Sequence, residues 1–106
     1  MFSYTVTIGR NVDGEPMPGN VWLRFIEDTI ADMETIAIAE VGDVFETHHG
    51  LGTWNDVTEE SVKVTVLTNY ELEPNQLQSI RFFMSDNART YNQDAIALTI
   101  GTTELC

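Results

Sequence analysis

The chain predicts an α+β fold of the ferredoxin-like type, a four-stranded antiparallel sheet with two helices on one face. Three observations lead there. Three stretches alternate apolar and polar residues with the period of a strand, a fourth also reads as a strand, and two others repeat apolar residues at helical spacing. Their order is strand, helix, strand, strand, helix, strand, the split βαβ arrangement. At 106 residues, 42% of them hydrophobic, the chain suits a single domain over 1–106 with one core.

The first strand is Phe2 to Gly9 (FSYTVTIG), where Tyr4, Val6 and Ile8 alternate with Ser3, Thr5 and Thr7. Asn11 to Gly19 carries Asp-Gly and two prolines and reads as a loop. From Asn20, a plausible cap, Val21, Trp22, Phe25, Ile26, Ile30 and Met33 form one helical stripe. Arg24, Glu27, Asp28 and Asp32 take the opposite side. Thr35 to Phe45 (TIAIAEVGDVF) reads as the second strand, with Gly42 hinting at a bulge, and His48 to Gly52 (HHGLG) as a glycine-rich turn.

Ser61 to Thr68 is the third strand, with Val62, Val64 and Val66 on one side. Pro74 opens the second helix, in which Leu77, Ile80, Met84 and Ala88 recur near helical spacing. Asp94 to Gly101 is the last strand, with Ile96, Leu98 and Ile100 inward. The uncovered face then shows Ser3, Thr5, Thr7, Lys63, Thr65, Ala95, Ala97 and Thr99, with Leu67 its only large apolar group. Such small side chains suit close approach by a second copy, so an oligomer contact is expected there.

Composition narrows the function classes. Seventeen acidic residues against five basic ones give a net charge of −12. That field repels nucleic acid and anionic lipid, and attracts cations and basic protein surfaces. The single cysteine, Cys106, allows neither an intrachain disulfide nor a cysteine metal cage. No leader or membrane span is evident, and a cytoplasmic protein is expected. Adjacent His48 and His49 point to opposite sides of an extended backbone, so no metal site is expected there. Neither a nucleophile elbow nor a phosphate-binding glycine loop occurs.

The chemistry that remains is carboxylate chemistry. Glu59 and Glu60 lead into the third strand, and Gln93 and Asp94 into the fourth. In the predicted topology these two strands flank the first and begin at the same end. Glu60 and Asp94 would then stand roughly 10 Å apart, two strand spacings. With Trp54 nearby, two carboxylates and an aromatic face make a pocket for a positive centre.

The run from Gly50 to Ile100 resembles the phage-encoded S-adenosylmethionine-cleaving enzymes. The matching pieces are Gly52-Thr53-Trp54, Thr58-Glu59-Glu60 before the valine-rich strand, and Tyr91-Asn92-Gln93-Asp94 before the last strand; the opening FSYTVTIGR also suits. The chain departs from the family in having Trp54 where tyrosine is frequent, and in a short stretch from Trp54 to Glu60. The resemblance implies a homotrimer with active sites between subunits, S-adenosylmethionine as substrate and no cofactor. It also implies lyase chemistry that releases 5′-methylthioadenosine and homoserine lactone. Glu60 and Asp94 would hold the methionine part and the sulfonium, while Trp54, Glu59 and Gln93 would contact the rest. A competing expectation rests on acidity alone: a phage-type inhibitor that occupies a basic site on a host or defence protein without catalysis.

Overall fold

The structure is a computed structural model that describes residues 1–39, 44–54, 57–102 and 104. Its elements are β1 (Phe2–Gly9), β2 (Asn11–Val12), β3 (Glu15–Pro16), α1 (Gly19–Ala39), β4 (Val44–Trp54), β5 (Val57–Thr68), α2 (Pro74–Thr90) and β6 (Ala97–Thr102). The main sheet has the order β4-β5-β1-β6 and is antiparallel throughout. This is the ferredoxin-like arrangement that the element order predicts.

The alternation of β1 and β5 translates directly into burial. Tyr4 pairs with Val66, Val6 with Val64 and Ile8 with Val62, and all six are buried. Trp22, Phe25, Ile26 and Met33 of α1 and Ile80 and Met84 of α2 close over them. Tyr4 also takes a polar role in the core, because its hydroxyl accepts the Leu72 backbone N–H at 2.7 Å. Leu98 of β6 and Ile96 just before it are partly buried against this core, whereas Ile100 is 48% exposed. Ile100 shares the side of Tyr4, but β6 is an edge strand, and the helices pack over the middle of the sheet.

Several boundaries differ from those expected. The second strand does not begin at Thr35, because α1 continues to Ala39. Ile36 and Ala37 are buried and extend the stripe of Trp22, Phe25, Ile26, Thr29 and Met33 by another turn. The β-branched alternation of TIAIA yields here to tertiary packing. Gly42 lies outside the described residues.

His48 to Gly52 is no turn. It lies within β4, where His48 pairs with Lys63, His49 with Val62 and Gly52 with Glu59. Only two residues separate Trp54 from its partner Val57, so the reversal falls after Trp54. Consequently β5 starts four residues earlier than Ser61, and Glu59 and Glu60 sit inside the strand. The last strand starts at Ala97, later than Asp94.

The expected loop after Asn11 contains a small hairpin, β2 with β3. Its two turn residues, Asp13 and Gly14, have φ of 51° and 82°. Asp-Gly is the favoured pair for such a two-residue turn, which needs positive φ at both positions. On the uncovered face, Thr5 and Thr65 join their hydroxyls at 2.8 Å. Among the described residues no helix is long and apolar enough to cross a membrane.

Candidate functional site

Both β5 and β6 pair antiparallel with β1, so they run parallel to each other and begin beside its Gly9 end. Glu59 and Glu60 therefore lie at the same end of the sheet as the segment leading into β6. Three local devices arrange that end: an arginine hub, a side-chain substitute for strand pairing, and a helix cap.

Arg10 is the hub. Its backbone N–H donates to the Glu60 carbonyl at 3.0 Å, and its own carbonyl accepts from Met17 N–H at 2.9 Å. The guanidinium donates through Nε to the Met17 carbonyl at 2.9 Å and through Nη1 to Glu60 Oε2 at 3.0 Å. One side chain thus binds the base of the β2–β3 hairpin to the strand that carries Glu60. The Glu60 side chain is 52% exposed, so its ion pair contributes little to stability and leaves the carboxylate accessible.

Regular pairing of β1 with β5 ends at Gly9 opposite Ser61. Arg10 N–H still finds the Glu60 carbonyl, and one residue further the Glu59 side chain takes over, its Oε1 accepting the Asn11 backbone N–H at 2.7 Å. From the other side, Gln93 Nε2 donates to the Asn11 carbonyl at 3.1 Å.

Gln93 reaches Asn11 because of how α2 ends. Asn92 has a positive φ of 56°, Gln93 N–H donates to the Ala88 carbonyl at 2.7 Å, and Asn92 N–H to Arg89 at 3.3 Å. This pair of bonds around a left-handed residue is a Schellman cap, for which asparagine is a suitable residue. The run Tyr91-Asn92-Gln93-Asp94 is therefore the turn that delivers the chain from α2 toward β6. The local geometry of that run is that of a helix stop.

Among the described residues, the carboxylates at this end line two different cavities. One, of about 410 Å³, is bounded by Arg10, Asn11, Pro16, Leu51, Thr58 and Glu60. The other, of about 350 Å³, lies between α2 and the approach to β6, and Gln93, Asp94 and Arg89 line it with Met84 and Leu98. Glu60 and Asp94 thus stand at one end of the sheet but line separate cavities of the chain. Trp54 is the last residue of β4, and the placement of its side chain lies outside what is described. Among the described residues no group of three or more His, Cys, Asp or Glu side chains is placed to hold a metal ion.

A further polar constellation, between the helices, escaped the sequence reading. Tyr91 OH donates to Asp28 Oδ2 in a short hydrogen bond, while Asn87 donates to Asp32 at 2.8 Å. Burial first, and then the bond to Asp28, push the Tyr91 hydroxyl up to about 12, so it remains a donor at neutral pH. Desolvation raises Asp32 above its ordinary 3.8, opposed by the Asn87 bond and reinforced by Asp28 and Asp86. The contribution of Asp32 to stability is full below 3.8 and is lost as pH rises through its higher folded value. Asp32→Asn keeps an acceptor for Asn87 and removes one like-charge i,i+4 repulsion. It is expected to add about 0.3 kcal/mol at pH 7. Urea titrations at pH 7 and at pH 3.5 check this, since the gain should vanish at the lower pH. A variant less stable than the parent at pH 7 would contradict it.

No protein-family model matches the chain, and no curated protein sequence does. Two solved structures resemble it. One is a phage SAM lyase in its apo state, with a TM-score of 0.58 and 20% identity over 99% of this chain and 91% of that one. The other is a phage SAM lyase in complex with S-methyl-5′-thioadenosine, with a TM-score of 0.56 and 19% identity over 94% of this chain and 79% of that one. At such identity the likeness is one of fold, and it runs through nearly the whole chain: this protein is built on the architecture of phage SAM lyase.

Proposed function

We propose that the protein is an S-adenosylmethionine lyase that releases 5′-methylthioadenosine and homoserine lactone. The observation that carries this reading is the fold likeness to a phage SAM lyase over 99% of the chain. The sequence runs around Glu60 and Asp94 support it, as does a net charge of −12 that attracts a cationic substrate.

In this reaction the substrate's own carboxylate oxygen attacks its γ-carbon, forming the ring C–O bond. The C–S bond breaks, and its electron pair leaves with the sulfur, converting the sulfonium to a neutral thioether. No external base, acid or cofactor enters the balance. The protein need only fold the substrate into attack geometry and surround its charges. Glu60 and Asp94 are assigned to the positive groups of the methionine portion, and Trp54 and Gln93 to the remainder. Glu60 and Asp94 line separate cavities of one chain, so this reading requires a neighbouring copy, as in a trimer, to complete the pocket.

Incubating the protein with S-adenosylmethionine and separating the products tests the reading. Equal amounts of 5′-methylthioadenosine and homoserine lactone are expected, without any methyl acceptor. Substrate recovered intact from an assembled, folded protein would overturn it.

A further inference from the structure

Glu59 was expected to touch substrate, yet its described contacts are to the protein's own backbone. The last main-chain bond to β5 is that of Arg10 N–H to the Glu60 carbonyl, and at the next residue the Glu59 carboxylate serves as the partner of Asn11 N–H at 2.7 Å. It can do so because residue 9 is glycine. A Cβ built on Gly9 would overlap Glu59 Oε1 and stand 2.6 Å from the carboxyl carbon, so any larger residue displaces that end of the side chain. The backbone conformation of Gly9 is one that alanine can adopt, since its φ lies outside the left-handed range. The glycine is therefore required for space rather than for flexibility.

Asn11 opens the β2–β3 hairpin, and Asn11 and Pro16 form one wall of the cavity whose other side carries Glu60. Gln93 holds the carbonyl of the same residue from the α2 side at 3.1 Å. We infer that Gly9 and Glu59 form a paired positioning device, in which the glycine leaves a seat for the carboxylate and the carboxylate fixes the hairpin wall beside Glu60. Glu59 is thereby a positioning residue and not a ligand of the substrate. The functional half of this inference rests on the lyase reading; the structural half does not.

The pairing makes a specific double-mutant expectation, because a seat matters only while something occupies it. In the full-length protein, Gly9→Ala and Glu59→Ala are each expected to speed hydrogen exchange at the Asn11 amide about 10-fold, the loss of one charge-assisted bond. Each should raise KM for S-adenosylmethionine by a similar factor, with kcat changed far less. The double variant should match Glu59→Ala alone. Glu59→Gln should recover most of what Glu59→Ala loses, because the glutamine oxygen accepts the same bond without charge.

Additive effects of Gly9→Ala and Glu59→Ala, or Asn11 exchange unaffected by either, would overturn the inference. So would equal losses in Glu59→Gln and Glu59→Ala, which mark a charge acting on the ligand. If the parent protein releases no 5′-methylthioadenosine, the lyase reading fails, while the exchange measurements still decide for or against the Gly9–Glu59 pair.

Discussion

Glu60→Gln is expected to lower kcat/KM for S-adenosylmethionine about 100-fold, roughly 2.7 kcal/mol, with most of the loss in KM. The division follows from the substrate's two positive centres. The sulfonium loses its charge as the C–S bond breaks, so a carboxylate beside it favours the ground state and raises the barrier. The α-ammonium keeps its charge throughout, so a carboxylate holding it binds ground state and transition state alike. Removing such uniform binding raises KM and leaves kcat nearly unchanged. Glutamine preserves size and can still accept from Arg10 Nη1, and the existing ion pair is half exposed. Folding should therefore be almost unaffected, and thermal unfolding of the variant serves as the control. Steady-state kinetics with an unchanged KM would remove Glu60 from the site. A large fall in kcat with constant KM would instead assign it to a contact made only in the transition state.

How far the sequence foretold this arrangement depends on which physical signal each residue carried. Val62, Val64 and Val66 alternate against polar neighbours, and a one-residue slip would expose all three, so both strand and register were legible. The stripe of α1 was legible as far as Met33, but not the buried Ile36 and Ala37 that extend it past the expected end. There a local β-like alternation masked the longer helical period. The segment around His48 misled for the opposite reason. Glycine and histidine suggest a turn, but Gly50 and Gly52 are paired against Ser61 and Glu59 along a two-stranded arm that reaches beyond the Gly9 end of β1. Strand content there is fixed by pairing with β5, and no local propensity reveals it. The same holds for Glu59. Its acidity was visible, but its duty depends on Gly9 and Asn11, which are 50 and 48 residues away in sequence. The Tyr91-Asn92-Gln93 run carried a readable cap signal in Asn92, placed just after the last apolar turn of α2.

Phe25→Ala is expected to cost about 3–5 kcal/mol, the largest stability loss of the substitutions considered. Phe25 is fully buried, stacks on Tyr91 with ring centroids 4.5 Å apart, and meets the edge of Trp22 at 6.0 Å. Truncation removes the whole ring and leaves a void that α1, tied to the sheet along its length, cannot collapse to fill. A domain of this size has about 5–15 kcal/mol in total, so the variant would lose a large share of its stability and melt about 15 °C lower. The effect should also travel. Tyr91 stands two residues before Gln93, and its ring rests on Phe25 while its hydroxyl is held by Asp28. With its floor gone, the cap that aims Gln93 at Asn11 loses one of its supports. Asn11 exchange should then quicken even under conditions where the variant remains folded. Phe25→Leu, which keeps most of the volume, should lose less than half as much stability. Denaturant unfolding within about 1 kcal/mol of the parent for Phe25→Ala would show that the two helices hold together without this stack, and that the turn into β6 is anchored elsewhere.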